Sequence, residues 1–188
     1  YNQIDVIIQA RLGSSRLPNK VIADLGGYSI LEFLITRIKR CDLINDFILA
    51  TTTNQEDAQL VNLGNKLDLK VIRGSENDVL SRFYDASKLS KAKTFIRITA
   101  DCPLLDHKLI NDLINAYFEQ DVDYLSNCFP PNLPEGLDLE IFSREAILAA
   151  HENCNDLTMR EHVTPWIRES KLFKIGFLSY KKDLSNFR

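Results

Sequence analysis

IDVIIQ, residues Ile4–Gln9, is a nearly unbroken apolar run, which is typical of a strand buried on both faces of a parallel sheet. Beyond it, strand-like runs alternate with segments of helical spacing. This periodicity predicts strands at residues 47–51, 69–72 and 94–99, and helices at residues 29–41, 54–67, 75–89 and 105–119. Such a βαβαβαβ order predicts an α/β fold, with a doubly wound, mostly parallel sheet and helices on both of its faces.

Polar residues mark where these helices begin. The predicted start signals of the first three are, in order, the capping box Ser29 with Glu32, then Asn54 with Asp57, then Ser75 with Asp78. In the second helix, the spacing predicts a buried face at residues 58, 60, 61 and 63.

The second half of the chain loses this alternation. FPPNLP at residues 129–134 carries three prolines. Strands are predicted around it at residues 123–126, 137–142 and 173–178, with helices from residue 143 and over residues 158–169. We interpret residues 1–188 as a single domain, in which residues 1–128 form the core and residues 129–170 an appended α+β arm.

The composition excludes several classes of protein. The 188 residues include 26 acids and 23 bases, a net charge of -3, which argues against broad electrostatic capture of nucleic acid. No apolar run approaches the roughly 18 residues of a membrane span, and no signal peptide opens the chain. The four cysteines form no CxxC pair and are predicted to be reduced, buried thiols. We therefore expect a cytoplasmic protein without a membrane or nucleic-acid partner.

The loop after the first strand is the most informative segment. QARLGSSRLPNK, residues 9–20, leaves the carboxyl end of a buried strand, where open α/β sheets bind their ligands. Its small residues can present backbone amides to an anion, and its bases can clamp phosphate oxygens, which suits a triphosphate. The candidate binding residues are Ala10, Arg11, Gly13, Ser14, Ser15, Arg16 and Lys20. The alternative is a solvated basic turn. Neither GxxxxGK[ST] nor GxGxxG occurs, which argues against a P-loop NTPase and a standard dinucleotide binder.

Six motifs in order resemble the sugar-acid cytidylyltransferases, which make CMP-activated sialic acid, Kdo and related acids. The resemblance runs over nearly the whole chain and is closest to the spore coat polysaccharide branch. The motifs are IIQARLGSSRLPNKVIADLGG at residues 7–27, ATTTN at 50–54, RGSENDVLSRFYDA at 73–86, RITADCPLLD at 97–106, EGLDLEIFS at 135–143 and REHVTPWI at 160–167. The resemblance implies a Rossmann-like nucleotidyltransferase fold and an enzyme that joins CTP to a sugar acid with release of pyrophosphate. It also implies a homodimer that forms through the arm.

Asp101 is the predicted metal ligand. It directly follows the fourth predicted strand, so its carboxylate should face the same crevice as the basic loop. A triphosphate needs Mg²⁺, which is held by one or two carboxylates plus phosphates, and the resemblance also makes Asp101 a metal ligand. The alternative is a helix cap, a role that Asp106 fits better. We expect Arg11, Lys20 and Asp101 to dominate catalysis, with Mg²⁺ as cofactor.

The resemblance also places a cytosine pocket at residues 73–82, where Arg73 and Ser81 would read the base. Arg82 has two equal interpretations, as part of this pocket or as a surface arginine paired with Asp78 or Asp85. Thr51 is predicted to line the nucleotide, although threonine is also a common strand residue.

Asp138 and Glu140 alternate onto one strand face and are the predicted sugar-binding acids. His162 is a candidate general base. We prefer to explain its segment as a helix opened by a capping box of Thr158 and Glu161. The DxD triplet at residues 121–123 is interpreted as a turn, because it lies at the wrong end of its strand for a metal site.

Members of the family carry a second metal-binding Asp in a motif like VDTPEDL near the carboxyl end, whereas this sequence ends in YKKDLSNFR. We therefore expect the sequence to be truncated at its carboxyl terminus; the alternative is that this protein cannot complete the metal site. Two alternative functions stay open: a nucleotide-sugar-dependent glycosyltransferase of similar fold, and a nucleotide-binding protein without catalysis. Release of pyrophosphate from CTP distinguishes the predicted enzyme from both.

Overall fold

The computed structural model describes residues 3–14 and 17–187. A seven-stranded sheet has the order β3-β2-β1-β4-β6-β5-β7. Its strands are β1 (Ile4–Gln9), β2 (Asp46–Thr52), β3 (Lys70–Gly74), β4 (Thr94–Thr99), β5 (Tyr124–Ser126), β6 (Glu140–Ser143) and β7 (Ile175–Phe177). All neighbouring pairs are parallel except those of β6, which runs antiparallel to β4 and β5. The predicted mostly parallel sheet is confirmed.

Seven α-helices cover the two faces of the sheet in the described part of the chain. They are α1 (Ile30–Ile38), α2 (Ala58–Lys66), α3 (Val79–Lys88), α4 (His107–Gln120), α5 (Arg144–Asn153), α6 (Leu157–His162) and α7 (Pro165–Glu169). Apolar side chains of α1, α2 and α4 belong to one core cluster. Those of α3, α5 and α7 belong to another. Two separate cores are expected where helices pack on both sides of a sheet.

Several predicted helix boundaries need correction. The capping box of Ser29 and Glu32 is present. Where a helix was expected from Asn54, a 3-10 turn at Gln55–Asp57 precedes α2. In α2, Leu60 and Gly64 are buried, whereas Ala58 is exposed. The boundary differs because the Asp57 carboxylate is bonded to Leu12 and Thr52 rather than to the first turn of the helix.

The later helices also begin elsewhere than expected. The side chain of Asp78 accepts from the Ser81 amide, so α3 starts at Val79, and the Ser75 hydroxyl belongs to the preceding turn. Residues 158–169 divide into α6 and α7, with Val163 between them at a φ of 71°. The Thr158 capping box is wrong, because Asp156 caps α6 by accepting from the Met159 amide.

The arm contributes to the sheet itself. β6 lies between β4 and β5, so residues 140–143 form part of the sheet interior. The four cysteines are free thiols, as predicted; Cys128 is half-buried and the others are buried. Within the described residues, no helix combines the length and apolar character needed to span a bilayer.

Candidate active site

A cleft of about 460 Å³ opens at the carboxyl ends of β1 and β4, and is called the basic cleft here. The chain passes from β1 to β2 and β3 on one side and then returns to β4 on the other. Ligands of open α/β sheets bind at such a reversal of strand order. Of the predicted site residues, those that line the cleft are Ala10, Arg11, Ser14, Lys20 and Asp101.

Lys20 and Asp101 face each other across the basic cleft. The Lys20 Nζ donates a hydrogen bond to Oδ2 of Asp101, and both side chains are about one-third exposed. Burial raises the pKa of the Asp101 carboxyl, but the hydrogen bond and charge of Lys20, helped by Thr99, outweigh it and lower the pKa below its usual value. Asp101 is therefore ionised at neutral pH, and the structure brings together the base and the acid that the sequence predicted to face one crevice.

Arg11 is held by an acid that the sequence did not single out. Its Nη1 donates to Oε1 of Glu76 at 2.8 Å, and the Asn54 side chain donates to the other Glu76 oxygen, also at 2.8 Å. A Cβ atom at Gly13 would lie 3.0 Å from a carboxylate oxygen of Glu56 and 3.6 Å from one of Glu76. Carboxylates therefore lie beside the loop that was predicted to bind an anion.

A phosphate that binds Arg11 has to compete with Glu76. For CTP, the nucleotide that the sequence resemblance predicts, we expect Glu76→Gln to tighten binding by about two- to fivefold, which is the range of a partly exposed ion pair. Isothermal titration calorimetry checks this. Asp85→Asn, which breaks the exposed pair with Lys88, is the matched control and should leave affinity unchanged. Weaker binding by Glu76→Gln would show instead that Glu76 orients Arg11 for the nucleotide.

The loop after β1 is anchored by a fully buried carboxylate. Asp57 is 0% exposed, and its Oδ1 accepts from the Leu12 amide at 2.8 Å while its Oδ2 accepts from the Thr52 hydroxyl. These bonds hold the loop to the end of β2. Sequence reasoning missed this role, because a helix start explained Asp57 equally well.

Arg82 does not lie on the surface, so its interpretation as a surface arginine is wrong. Its side chain is 2% exposed and lines the basic cleft. Asp78, the expected partner, is bonded to Arg160 instead, at 2.9 and 3.1 Å. Burial, together with the charge of Arg11, lowers the pKa of Arg82 to about 10 against the opposing effect of nearby acids.

Three side chains were predicted to contact the cytosine or the nucleotide, namely Arg73, Ser81 and Thr51. Arg73 donates to the backbone carbonyls of Thr52 and Asn54, both at 2.8 Å. The Ser81 hydroxyl accepts from Arg160 at 3.4 Å, and Thr51 is buried within β2. Among the described residues, those that line the basic cleft do not include these three. Ser15 and Arg16 lie outside the described residues.

A second cavity of about 380 Å³ adjoins the basic cleft and shares Arg97 and Thr99 with it. We call it the acidic cavity, because its wall includes Glu135, Asp138 and Glu140. Part of the proline-rich segment, including Phe129 and Pro131, forms another side. The two predicted sugar-binding acids therefore lie in one cavity next to the predicted nucleotide site. Burial and the neighbouring Glu140 and Glu135 raise the pKa of Asp138.

Glu140 is 3% exposed and its carboxylate is fully engaged. One oxygen accepts from Tyr124 Oη at 2.6 Å and from the Thr164 hydroxyl, and the other accepts from Arg97 Nη1. Burial would raise the pKa of Glu140, but the Arg97 charge and these hydrogen bonds lower it. Glu140 thus joins β4, β5 and the start of α7 and holds Arg97 at the boundary between the two cavities.

We expect Glu140→Gln to lower the free energy of unfolding by about 3 kcal/mol, because it leaves the half-buried Arg97 without its counterion in the buried end of this ion pair. Urea denaturation measures this. Asp138→Asn in the same cavity is the control, and it should leave stability unchanged or higher because the folded pKa of Asp138 is raised. Equal stability of the two variants would contradict a structural ion pair at Glu140.

His162 and Glu161, at the end of α6, also line the basic cleft, and His162 is exposed. From the sequence, His162 was a candidate general base, but a capping box was the preferred explanation of this segment. No local pattern separates a cleft-facing histidine from a solvent-facing one, since the difference lies in where α6 packs.

The sheet, with the basic loop and the opposing carboxylate at its carboxyl edge, has the nucleotidyltransferase-like α/β fold of a solved cytidylyltransferase. A cytidylyltransferase from Leptospira borgpetersenii matches with a TM-score of 0.93 and 30% identity, over 100% of this chain and 80% of that one. A CMP:2-keto-3-deoxy-manno-octonic acid synthetase complexed with CTP matches with a TM-score of 0.71 at 12% identity, over 95% of this chain and 91% of that one, which shows the fold alone. The family model described as Cytidylyltransferase matches residues 6–188, so the chain belongs to the cytidylyltransferase family.

Sequence relatives agree with this assignment. The spore coat polysaccharide biosynthesis protein SpsF of Bacillus subtilis is 33% identical over 94% of this chain and 75% of its own length. An uncharacterized protein of Methanocaldococcus jannaschii is 44% identical over 92% of this chain and 70% of its own length. A 3-deoxy-manno-octulosonate cytidylyltransferase of Fusobacterium nucleatum is 30% identical over 60% of this chain and 45% of its own length.

Proposed function

We propose that this protein transfers CMP from CTP to a sugar acid of the nonulosonate or Kdo type, releases pyrophosphate, and serves surface polysaccharide biosynthesis. One observation carries the proposal: the basic cleft and the acidic cavity meet at Arg97 and Thr99. A nucleotide in the first and an acceptor in the second come together at the end of β4. The names of the spore coat and octulosonate relatives support the same substrate class.

The chain's residues act mainly by positioning and by stabilising charge. Arg11 and Lys20 approach the polyphosphate from two sides, while Ala10 and Ser14 form the floor beneath it. The acceptor hydroxyl attacks the α-phosphorus, the bridge to the β-phosphate breaks, and pyrophosphate leaves. Asp138 accepts hydrogen bonds from sugar hydroxyls, and the acceptor carboxylate faces the shared wall where Arg97 lies.

Asp101 fits the proposed Mg²⁺, since its ionised carboxylate lines the cleft beside the place for the phosphates. Within residues 3–14 and 17–187, His, Cys, Asp and Glu form no cluster of three or more that would hold an ion by itself. Asp101, next to Lys20, would hold the ion together with the phosphates of the nucleotide, and the ion would neutralise phosphate charge there.

The test is a pyrophosphate-release assay with CTP, UTP, ATP and GTP, each with Mg²⁺ and a panel of 2-keto sugar acids. The proposal expects pyrophosphate from CTP and at least one of these acids. Turnover of a CMP-sugar without pyrophosphate would favour a glycosyltransferase instead. CTP binding that is insensitive to Asp101→Asn, with no turnover, would favour a non-catalytic nucleotide-binding protein. Sedimentation of the same preparation tests the proposed homodimer.

A further inference from the structure

Arg82 is a buried cation, and two of its guanidinium nitrogens lack a hydrogen-bond partner in the described part of the chain. Its Nε and Nη1 are inaccessible to solvent and contact no acceptor among the described residues. A buried guanidinium is normally fully hydrogen-bonded, because an unpaired charge loses its hydration without compensation. Such a group is retained where a ligand supplies the missing acceptor, and Arg82 lines the basic cleft.

Packing rather than hydrogen bonding holds this side chain in place. Its Cγ lies 2.7 Å from the position that a Cβ of Gly74 would occupy, closer than real Cβ contacts. Gly74 ends β3 and has no side chain there, so the stem of Arg82 passes directly over the strand end. The backbone thus leaves room for Arg82 to reach the cleft from the α3 side.

The charges around Arg82 favour an anion. Arg11 is close enough to lower the pKa of Arg82, which stays protonated at neutral pH with a pKa of about 10. The nearby acids are already bonded elsewhere: Glu76 to Arg11 and Asn54, Asp57 to Leu12 and Thr52, and Asp78 to Arg160. Two guanidinium groups therefore face one cleft, and the residues that the structure describes supply no acceptor for Nε and Nη1 of Arg82.

We propose that Arg82 binds the polyphosphate of the nucleotide, opposite Lys20 and beside Arg11. The guanidinium fork offers parallel donors that match phosphate oxygens, in charge-assisted hydrogen bonds. This inference rests on the proposed function, because it takes the basic cleft as the nucleotide site. It adds a phosphate contact from α3, where the sequence predicted contacts to the base.

The experiment compares wild type with Arg82→Met, which keeps the apolar stem and removes the charge. Without ligand, Arg82→Met is expected to unfold at the same temperature as wild type or higher, since it removes an unpaired buried cation. Its affinity for inorganic pyrophosphate with Mg²⁺, a probe that carries no base, is expected to fall about ten- to a hundredfold. Arg82→Lys keeps the charge but not the guanidinium fork, so its affinity for pyrophosphate should lie between those of wild type and Arg82→Met.

Arg144→Met is the matched control. Arg144 is half-buried and donates to the carbonyls of Ala92 and Ser90 at 2.8 and 2.9 Å, so its loss should lower the melting temperature and leave pyrophosphate binding unchanged.

The inference would be overturned if Arg82→Met had a lower melting temperature than wild type and bound pyrophosphate equally well, which would give Arg82 a structural role. Weaker binding of cytidine with unchanged pyrophosphate binding would also overturn it, in favour of a base contact. Wild type that binds neither CTP nor pyrophosphate would contradict the proposed function itself.

Discussion

Lys20→Ala is expected to lower CTP-dependent pyrophosphate release by about 10²- to 10³-fold, the usual effect of removing one preorganised group that stabilises transition-state charge. Lys20 follows the loop after β1, and its ammonium reaches across the basic cleft to Asp101. In the proposed reaction negative charge builds up on the departing pyrophosphate, so a cation at this position acts most strongly in the transition state.

The melting temperature of Lys20→Ala should change little. The Lys20–Asp101 pair is about one-third exposed, and ion pairs of this exposure contribute roughly 0–1 kcal/mol. The pair of Lys174 and Asp121, far more exposed at the other end of the sheet, offers a matched control. Lys174→Ala should keep full activity. Equal activity of Lys20→Ala and wild type would remove Lys20 from the phosphate clamp.

Asp101→Asn should lower turnover by a similar factor of about 10² to 10³, and it should also raise the Mg²⁺ concentration needed for half-maximal rate. The higher Mg²⁺ requirement distinguishes Asp101→Asn from Lys20→Ala, because the Asn amide fills the space of the carboxylate but is a weaker Mg²⁺ ligand. A Mg²⁺ titration of the initial rate at saturating CTP measures both. Asp121→Asn is the control, and an unchanged Mg²⁺ requirement in Asp101→Asn would contradict metal binding at this residue.

The pH dependence of stability gives Asp101 an independent check. Its folded pKa lies below the ordinary value of 3.8, so its ion pair stabilises the fold at any pH above that value. This contribution is lost as the pH falls through the lowered pKa. The difference in unfolding free energy between wild type and Asp101→Asn should therefore be constant near neutral pH and shrink in acid.

Strands and helices of the first half were predictable because their signals are local. The apolar run of β1 and the Ser29 capping box need no knowledge of the rest of the chain. The place of β6 was not predictable in this way. Residues 140–143 have a strand pattern that suits any position in a sheet, and only pairing with β4 and β5 decides that they lie between them.

The site residues likewise fall into those that local sequence signals predicted and those that long-range contacts decided. Lys20 and Asp101 were predicted to face one crevice because each follows a strand, and the carboxyl ends of neighbouring parallel strands meet at one edge. Arg82 was ambiguous because Asp78 stands four residues before it, at the spacing of a helical ion pair. In the fold, Asp78 pairs with Arg160, 82 residues further along the chain.

Sequence alone determined the order of the elements in the first half, the sheet type and the position of the basic loop, because periodicity and strand-end chemistry are carried by neighbouring residues. Tertiary structure alone decided which charges are paired and which are buried. Glu76 neutralises Arg11 and Asn54 supports it, while Gly74 leaves the space through which Arg82 enters the cleft. The physical reason is that burial and ion pairing depend on distances between residues far apart in the chain, which only the packing of α3 on the sheet and of α6 on α3 establishes.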